Sequence, residues 1–230
     1  MANTSTIFSA LGTIFSIILS FSPTPLFIQV FRREEKIEIL PEGMLLCQLL
    51  NKLLWCSVWV LTKKLIPFIN AAVVILITTI FLTLYLFLYF HRRYLKTLGK
   101  LSLLLFFESA IIFGTIIYGN TSVISLIAMI FNSIIHIVQG QNIIRFFKEK
   151  NYKLIPIYNT IISICCSGFW LLYGISINLT ALIIPNILGL FFSIVNTFAW
   201  IYCYFNGDIS KYKEETFAVI YNNSFNYPLL

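Results

Sequence analysis

The sequence predicts an all-α integral membrane protein with seven transmembrane helices in a 3+1+3 arrangement, two parallel triple-helix repeats joined by a linker helix. Three observations carry this. First, 59% of the 230 residues are hydrophobic and only 11% are charged, whereas a soluble domain holds roughly 25% charged residues. Second, apolar runs of membrane-crossing length fill nearly the whole chain, and a helix needs about 20 such residues to span a bilayer core. Third, a layout recurs. Pro41, Trp55 and Asn70 follow one basic loop, and Pro156, Trp170 and Asn186 follow another, with a fourteen-residue proline–tryptophan interval both times. A duplicated three-span unit with an odd span between its copies sets the copies parallel, with a site between them.

Taken in order, the expected spans are 6–28, 41–61, 66–90, 101–119, 122–145, 155–175 and 180–205. The runs are too long and continuous for barrel strands, which alternate over about ten residues. The first span lacks a basic n-region and ends in SPTP (residues 22–25), so it is expected to be retained rather than cleaved. Pro23 removes a backbone bond there and predicts a kink. The second span holds Lys52 and Trp55, and the third holds Asn70 near its start. The fourth span, with Glu108, has no counterpart and reads as the linker. The fifth carries Asn132, His136, Gln139 and Gly140, a polar seam or a cavity lining. The sixth and seventh carry WLLYG with Trp170, then Pro185-Asn186. The expected units are 1–92, 93–120 and 121–206, followed by a polar cytosolic tail, 207–230.

The net charge of +7 does not indicate a nucleic-acid partner, because the basic residues sit in short gaps between apolar runs. With the N-terminus outside, thirteen lysines and arginines fall on the inner side against Lys63 and Lys64 outside, which favours that orientation. Sequons at Asn3, Asn120 and Asn178 then lie outside, and the one at Asn222 inside. The five cysteines all lie in apolar segments with no metal spacing and read as small buried residues. No metal or other cofactor is expected. The expected membrane is the plasma membrane, with an endomembrane as the alternative.

The paired residues point to a neutral, polyhydroxylated solute. An asparagine amide offers donors and acceptors without charge. An indole gives a flat apolar face on which the C–H side of a sugar ring can lie. Asn70, Asn186, Trp170 and Trp55 are therefore the expected substrate contacts. Either tryptophan taken alone reads equally as a membrane-interface residue.

At these residues the chain resembles the SWEET sugar facilitators, relatives of the PQ-loop transporters. The resemblance is carried by the basic loop, Pro156, WLLYG with Trp170 and PNILG with Asn186. In the first half it is carried by SPTP with Pro23, Pro41 and Asn70. It implies bidirectional, facilitative uniport of mono- or disaccharides by alternating access, a lipid-embedded chain, and hinge prolines in four spans. Pro23, Pro41 and Pro156 fill three of those places. Gln139 stands at the fourth, followed by Gly140, whose permissive backbone offers a substitute bend. Homo-oligomers occur in the family. The resemblance supports Trp170 more directly than Trp55, which rests on the internal repeat.

Two other readings fit the same spans. A proton-coupled exporter of amino acids or similar solutes would use Glu108, His136 and Lys52. A seven-span receptor would match the span count but not the three-span repeat. An enzyme is not expected: HExxH, GxSxG and paired intramembrane aspartates are absent from the sequence.

Overall fold

The predicted spans resolve into helices in a computed structural model that describes residues 2–32, 40, 42–88, 94–118, 121–149 and 157–206. The helices are α1 (Ala2–Ser20), α2 (Thr24–Phe31), α3 (Glu42–Leu61), α4 (Leu65–Leu88), α5 (Tyr94–Tyr118), α6 (Thr121–Glu149), α7 (Ile157–Ser176) and α8 (Thr180–Asn206). Together α1 and α2 form one broken span, so eight elements make seven spans. Among the described residues, six spans are long and apolar enough to cross a membrane, and α6 is apolar over Thr121–Ile137.

The break between α1 and α2 follows from proline chemistry. Neither Pro23 nor Pro25 has an N–H, so the Leu19 and Phe21 carbonyls lose their usual partners four residues on. Both are satisfied one residue early. Ser22 N–H donates to Leu19 O at 3.0 Å, and Thr24 N–H donates to Phe21 O at 3.0 Å. The expected kink is present. Its counterpart in the second repeat is not a break, because α6 runs uninterrupted through Gln139 and Gly140. Without a proline, every backbone bond of that helix can form, and the glycine alone does not interrupt it. The Gln139 and Glu108 side chains, Pro41, Pro156 and the tail 207–230 lie outside the described residues.

Helix contacts reproduce the repeat. In the first set α4 packs on both α1 and α3, and in the second α8 packs on both α6 and α7. The third helix of each set is thus the central one. Between the sets, α1 meets α7 and α3 meets α6. Exchanging α1 with α6, α3 with α7 and α4 with α8 converts each of these contacts into another. The linker helix α5 touches α3 and α6.

The turns repeat as well. Thr62, Lys63 and Lys64 N–H donate to Val58, Val60 and Trp59 O, and Ile177, Asn178 and Leu179 N–H donate to Tyr173, Ile175 and Gly174 O. Each residue of the second set is 115 positions beyond its equivalent. Both turns end a helix with a left-handed residue, Lys63 at φ 55° and Asn178 at φ 53°, the arrangement that captures orphan carbonyls at helix C-termini.

The surface is apolar and the interior partly polar, the distribution a bilayer demands. Phe198 and Phe205 are 67% and 77% exposed. Ser9, Thr13, Ser16, Ser20, Asn51, Asn70, Ser163, Ser167 and Asn186 are buried. At the end of the bundle where α3 begins, the Glu42 carboxylate accepts from Tyr85 Oη at 2.9 Å, Thr97 Oγ1 at 3.1 Å and Lys100 Nζ at 2.9 Å. One carboxylate therefore ties α3 to the end of α4 and the start of α5.

Candidate functional site

Four helices bring the predicted residues to one depth. Trp55 lies six residues before the end of α3, and Trp170 six before the end of α7. Asn70 lies five residues into α4, and Asn186 six into α8. At 1.5 Å per residue all four sit about 8–9 Å in from the same end of the bundle. All four are buried.

The tryptophans belong to one buried cluster with Trp59, Ala71, Ala128, Cys166, Tyr173 and Leu182. They do not stack on each other. Trp55 stacks on Trp59 with centroids 5.2 Å apart and planes 19° apart. Trp170 meets Tyr173 edge-on at 5.7 Å, and Trp59 meets Tyr173 at 6.2 Å. Trp59 and Tyr173 thus join the two repeats one turn nearer the α3–α4 turn than Trp55 and Trp170. Sequence reasoning missed both. Their signal was spacing: Trp59 is one turn beyond Trp55, and Tyr173 one turn beyond Trp170.

Gly12 explains how Trp170 is seated. A Cβ at Gly12 would lie 3.1 Å from Cε2 and Nε1 of Trp170, so any side chain there would push the indole back by a few tenths of an ångström. Allowing the 116-residue offset that relates Asn70 to Asn186, its counterpart in α6 is Ala128, which is fully buried in the same cluster.

The two asparagines differ in what they already hold. Asn186 Nδ2 donates to the Leu182 carbonyl at 2.6 Å, one turn back in α8, next to the Ala181 carbonyl that Pro185 leaves without its usual helical partner. Asn70 Oδ1 is buried without a hydrogen-bond partner. A buried amide oxygen left unpaired costs about 1–3 kcal/mol, and a solute hydroxyl would remove that cost. Pro67, near Asn70, sits in the first turn of α4, where no intrahelical bond is lost.

Toward the α2 end, two polar seams close the repeats against each other. Asn51 Nδ2 on α3 donates to Asn132 Oδ1 on α6 at 3.2 Å. On the opposite side Cys166 of α7 hydrogen-bonds Ser16 of α1. The residues correspond, Asn51 to Cys166 and Ser16 to Asn132, so these are one contact made twice. Lys52 Nζ also reaches Ser16 Oγ, at 3.5 Å. In the second repeat the His136 ring lies against Gly189, where an added Cβ would be 2.6 Å from His136 Cε1 and 2.7 Å from Ser167 Oγ. Among the described residues no group of His, Cys, Asp or Glu could hold a metal ion. A separate cleft of about 320 Å³ opens at the α3–α4 turn between Ser9, Lys63, Lys64, Pro67 and Tyr173.

Comparison with known proteins bears on the second repeat and on the fold as a whole. Residues 122–207 match the family model described as "Sugar efflux transporter for intercellular exchange". The fold is similar to that of a eukaryotic SWEET transporter solved at 3.7 Å, with TM-score 0.79 and 16% identity over 87% of this chain and 96% of that one. Trp170, Pro185 and Asn186 all fall within the matched residues 122–207, and the fold is similar to that of the SWEET transporter over most of the chain.

Proposed function

We propose that this protein is a facilitator that moves mono- or disaccharides across a membrane in both directions, by alternating access between units 1–92 and 121–206. The carrying observation is the single buried layer that takes one asparagine and one tryptophan from each repeat. Asn70 and Asn186 hydrogen-bond sugar hydroxyls, and Trp170 and Trp55 present apolar faces to the ring. Because Trp59 and Tyr173 meet across the repeats on the α3–α4 side of the indoles, admitting a sugar from that side requires the pair to part. The described conformation is thus closed at the α3–α4 end. The break at Pro23, and the prolines Pro41 and Pro156 before α3 and α7, supply the bending points, while the unbroken α6 moves as a rod. The charge count supports an N-terminus outside and the 207–230 tail in the cytosol, and the membrane we propose is the plasma membrane.

No step breaks or forms a covalent bond, so the protein acts as a carrier rather than an enzyme. A second reading, proton-coupled solute export, draws on His136 packed against Ser167 and Gly189. One experiment separates the two: uptake and efflux of radiolabelled glucose and sucrose in transport-deficient cells, with internal pH recorded. Saturable flux in both directions without proton movement supports the facilitator. Flux that needs a proton gradient supports the exporter, and absence of sugar flux at the membrane removes the facilitator reading.

A further inference from the structure

We infer that the site accepts a sugar acid, and that Lys52 receives its carboxylate. The inference rests on the sugar-transport reading and concerns which sugars fit. Lys52 lies near the middle of α3, ten residues from Glu42 and nine from Leu61, too deep for its amine to reach either end of the span. It stands one turn from Trp55 on the same helix face, since residues three apart are neighbours. Its amine points between the repeats. Ser16 Oγ of α1 is 3.5 Å away, and the electrostatic neighbour it acts on is the Cys166 thiol of α7.

A cation at membrane depth normally pairs with a carboxylate or lines a solute path. Among the described residues Lys52 has no acidic partner; Glu42 is committed to Lys100, Tyr85 and Thr97. A nearby polar atom is also uncommitted: Thr13 Oγ1, on α1 one turn from Ser16, is buried without a partner.

The repeat adds an independent argument. By the 115-residue offset, the counterpart of Lys52 is Ser167, a neutral hydroxyl. Of the two equivalent positions, only the one in the first repeat carries an amine. A neutral sugar presents hydroxyls on every side and gives that amine no counter-charge. A uronic acid presents hydroxyls around the ring and a single carboxylate at one carbon. Its charge can meet Lys52 in a charge-assisted hydrogen bond, while the ring hydroxyls meet Asn70 and Asn186.

The test uses the full chain in proteoliposomes, with radiolabelled glucuronate and glucose taken up in parallel by wild type, Lys52→Met and Lys52→Arg. Each protein is scored by its glucuronate-to-glucose flux ratio, which cancels differences in insertion. The expected result is that wild type moves both solutes, that the ratio falls about tenfold in Lys52→Met, and that it stays within about threefold in Lys52→Arg. Glucose flux without glucuronate flux in wild type overturns the inference and leaves the facilitator reading standing. So does an unchanged ratio in Lys52→Met. Flux of neither solute removes the facilitator reading and this inference with it. If Lys52→Met fails to insert, the wild-type glucuronate lane and the Lys52→Arg ratio still decide.

Discussion

Gly12 offers a perturbation whose sign can be worked from competing terms. In Gly12→Ala the new Cβ would sit 3.1 Å from two atoms of the Trp170 indole. Crowding a packed seam costs about 1–3 kcal/mol. Replacing a helical glycine by alanine returns about 1 kcal/mol of propensity. Crowding exceeds propensity, leaving roughly 1 kcal/mol of net destabilisation, or about 2–4 °C in melting temperature for a chain of this size. Gly168→Ala is the control. Gly168 is in mid-α7, and nothing lies within 4 Å of an added Cβ, so that variant keeps the propensity gain without the clash. The pair should therefore differ by about 2 kcal/mol, roughly 4–8 °C, in melts of the purified protein followed by tryptophan fluorescence. Gly12→Ala melting at or above Gly168→Ala would refute the seating of Trp170 against α1, and with it the seam between the repeats.

Other expectations follow from the same structure. Lys63→Gly should raise the melting temperature, because a left-handed lysine costs about 1–2 kcal/mol, whereas Asn178→Gly should change it little, since asparagine tolerates that conformation; parallel melts compare them. Glu42→Gln should weaken the tie between α3 and α5. Lys100 is 59% exposed, so the ion pair itself contributes little, and the lost bonds to Tyr85 and Thr97 should dominate at about 1 kcal/mol, read as faster amide exchange at the start of α5. A double-mutant cycle on Asn51→Leu and Asn132→Leu should give a coupling energy of about 0.6–1.7 kcal/mol, the range for polar pairs between membrane helices. Zero coupling would show that this seam is not closed in the membrane.

Much of the fold was legible because membrane insertion turns hydropathy directly into structure. Span limits such as 41–61 against Glu42–Leu61 and 180–205 against Thr180–Asn206 differ by one residue at one end and coincide at the other. The kink at SPTP was legible because proline removes a bond whatever its surroundings. The continuity of α6 at Gly140 was not, because a permissive residue allows a bend without requiring one. The depth shared by Trp55, Trp170, Asn70 and Asn186 followed from counting along helices. Which ring lies on which depended on rotamers and helix separation. Stacking of Trp55 on Trp59, and the meeting of Trp59 with Tyr173 across the repeats, therefore needed coordinates. The cross-repeat pairs Asn51–Asn132 and Cys166–Ser16 were hidden for a different reason: their residues differ in type between the halves, so only position relates them.

The central claim is that one site, shared by both repeats, carries the sugar. Equilibrium exchange of radiolabelled glucose across proteoliposomes containing wild type, Asn70→Ala or Asn186→Ala tests it most directly. The account predicts saturable exchange in wild type and a loss of about tenfold or more in each variant, since each removes a buried hydrogen bond to the solute. Wild-type exchange that survives intact in both variants would contradict it.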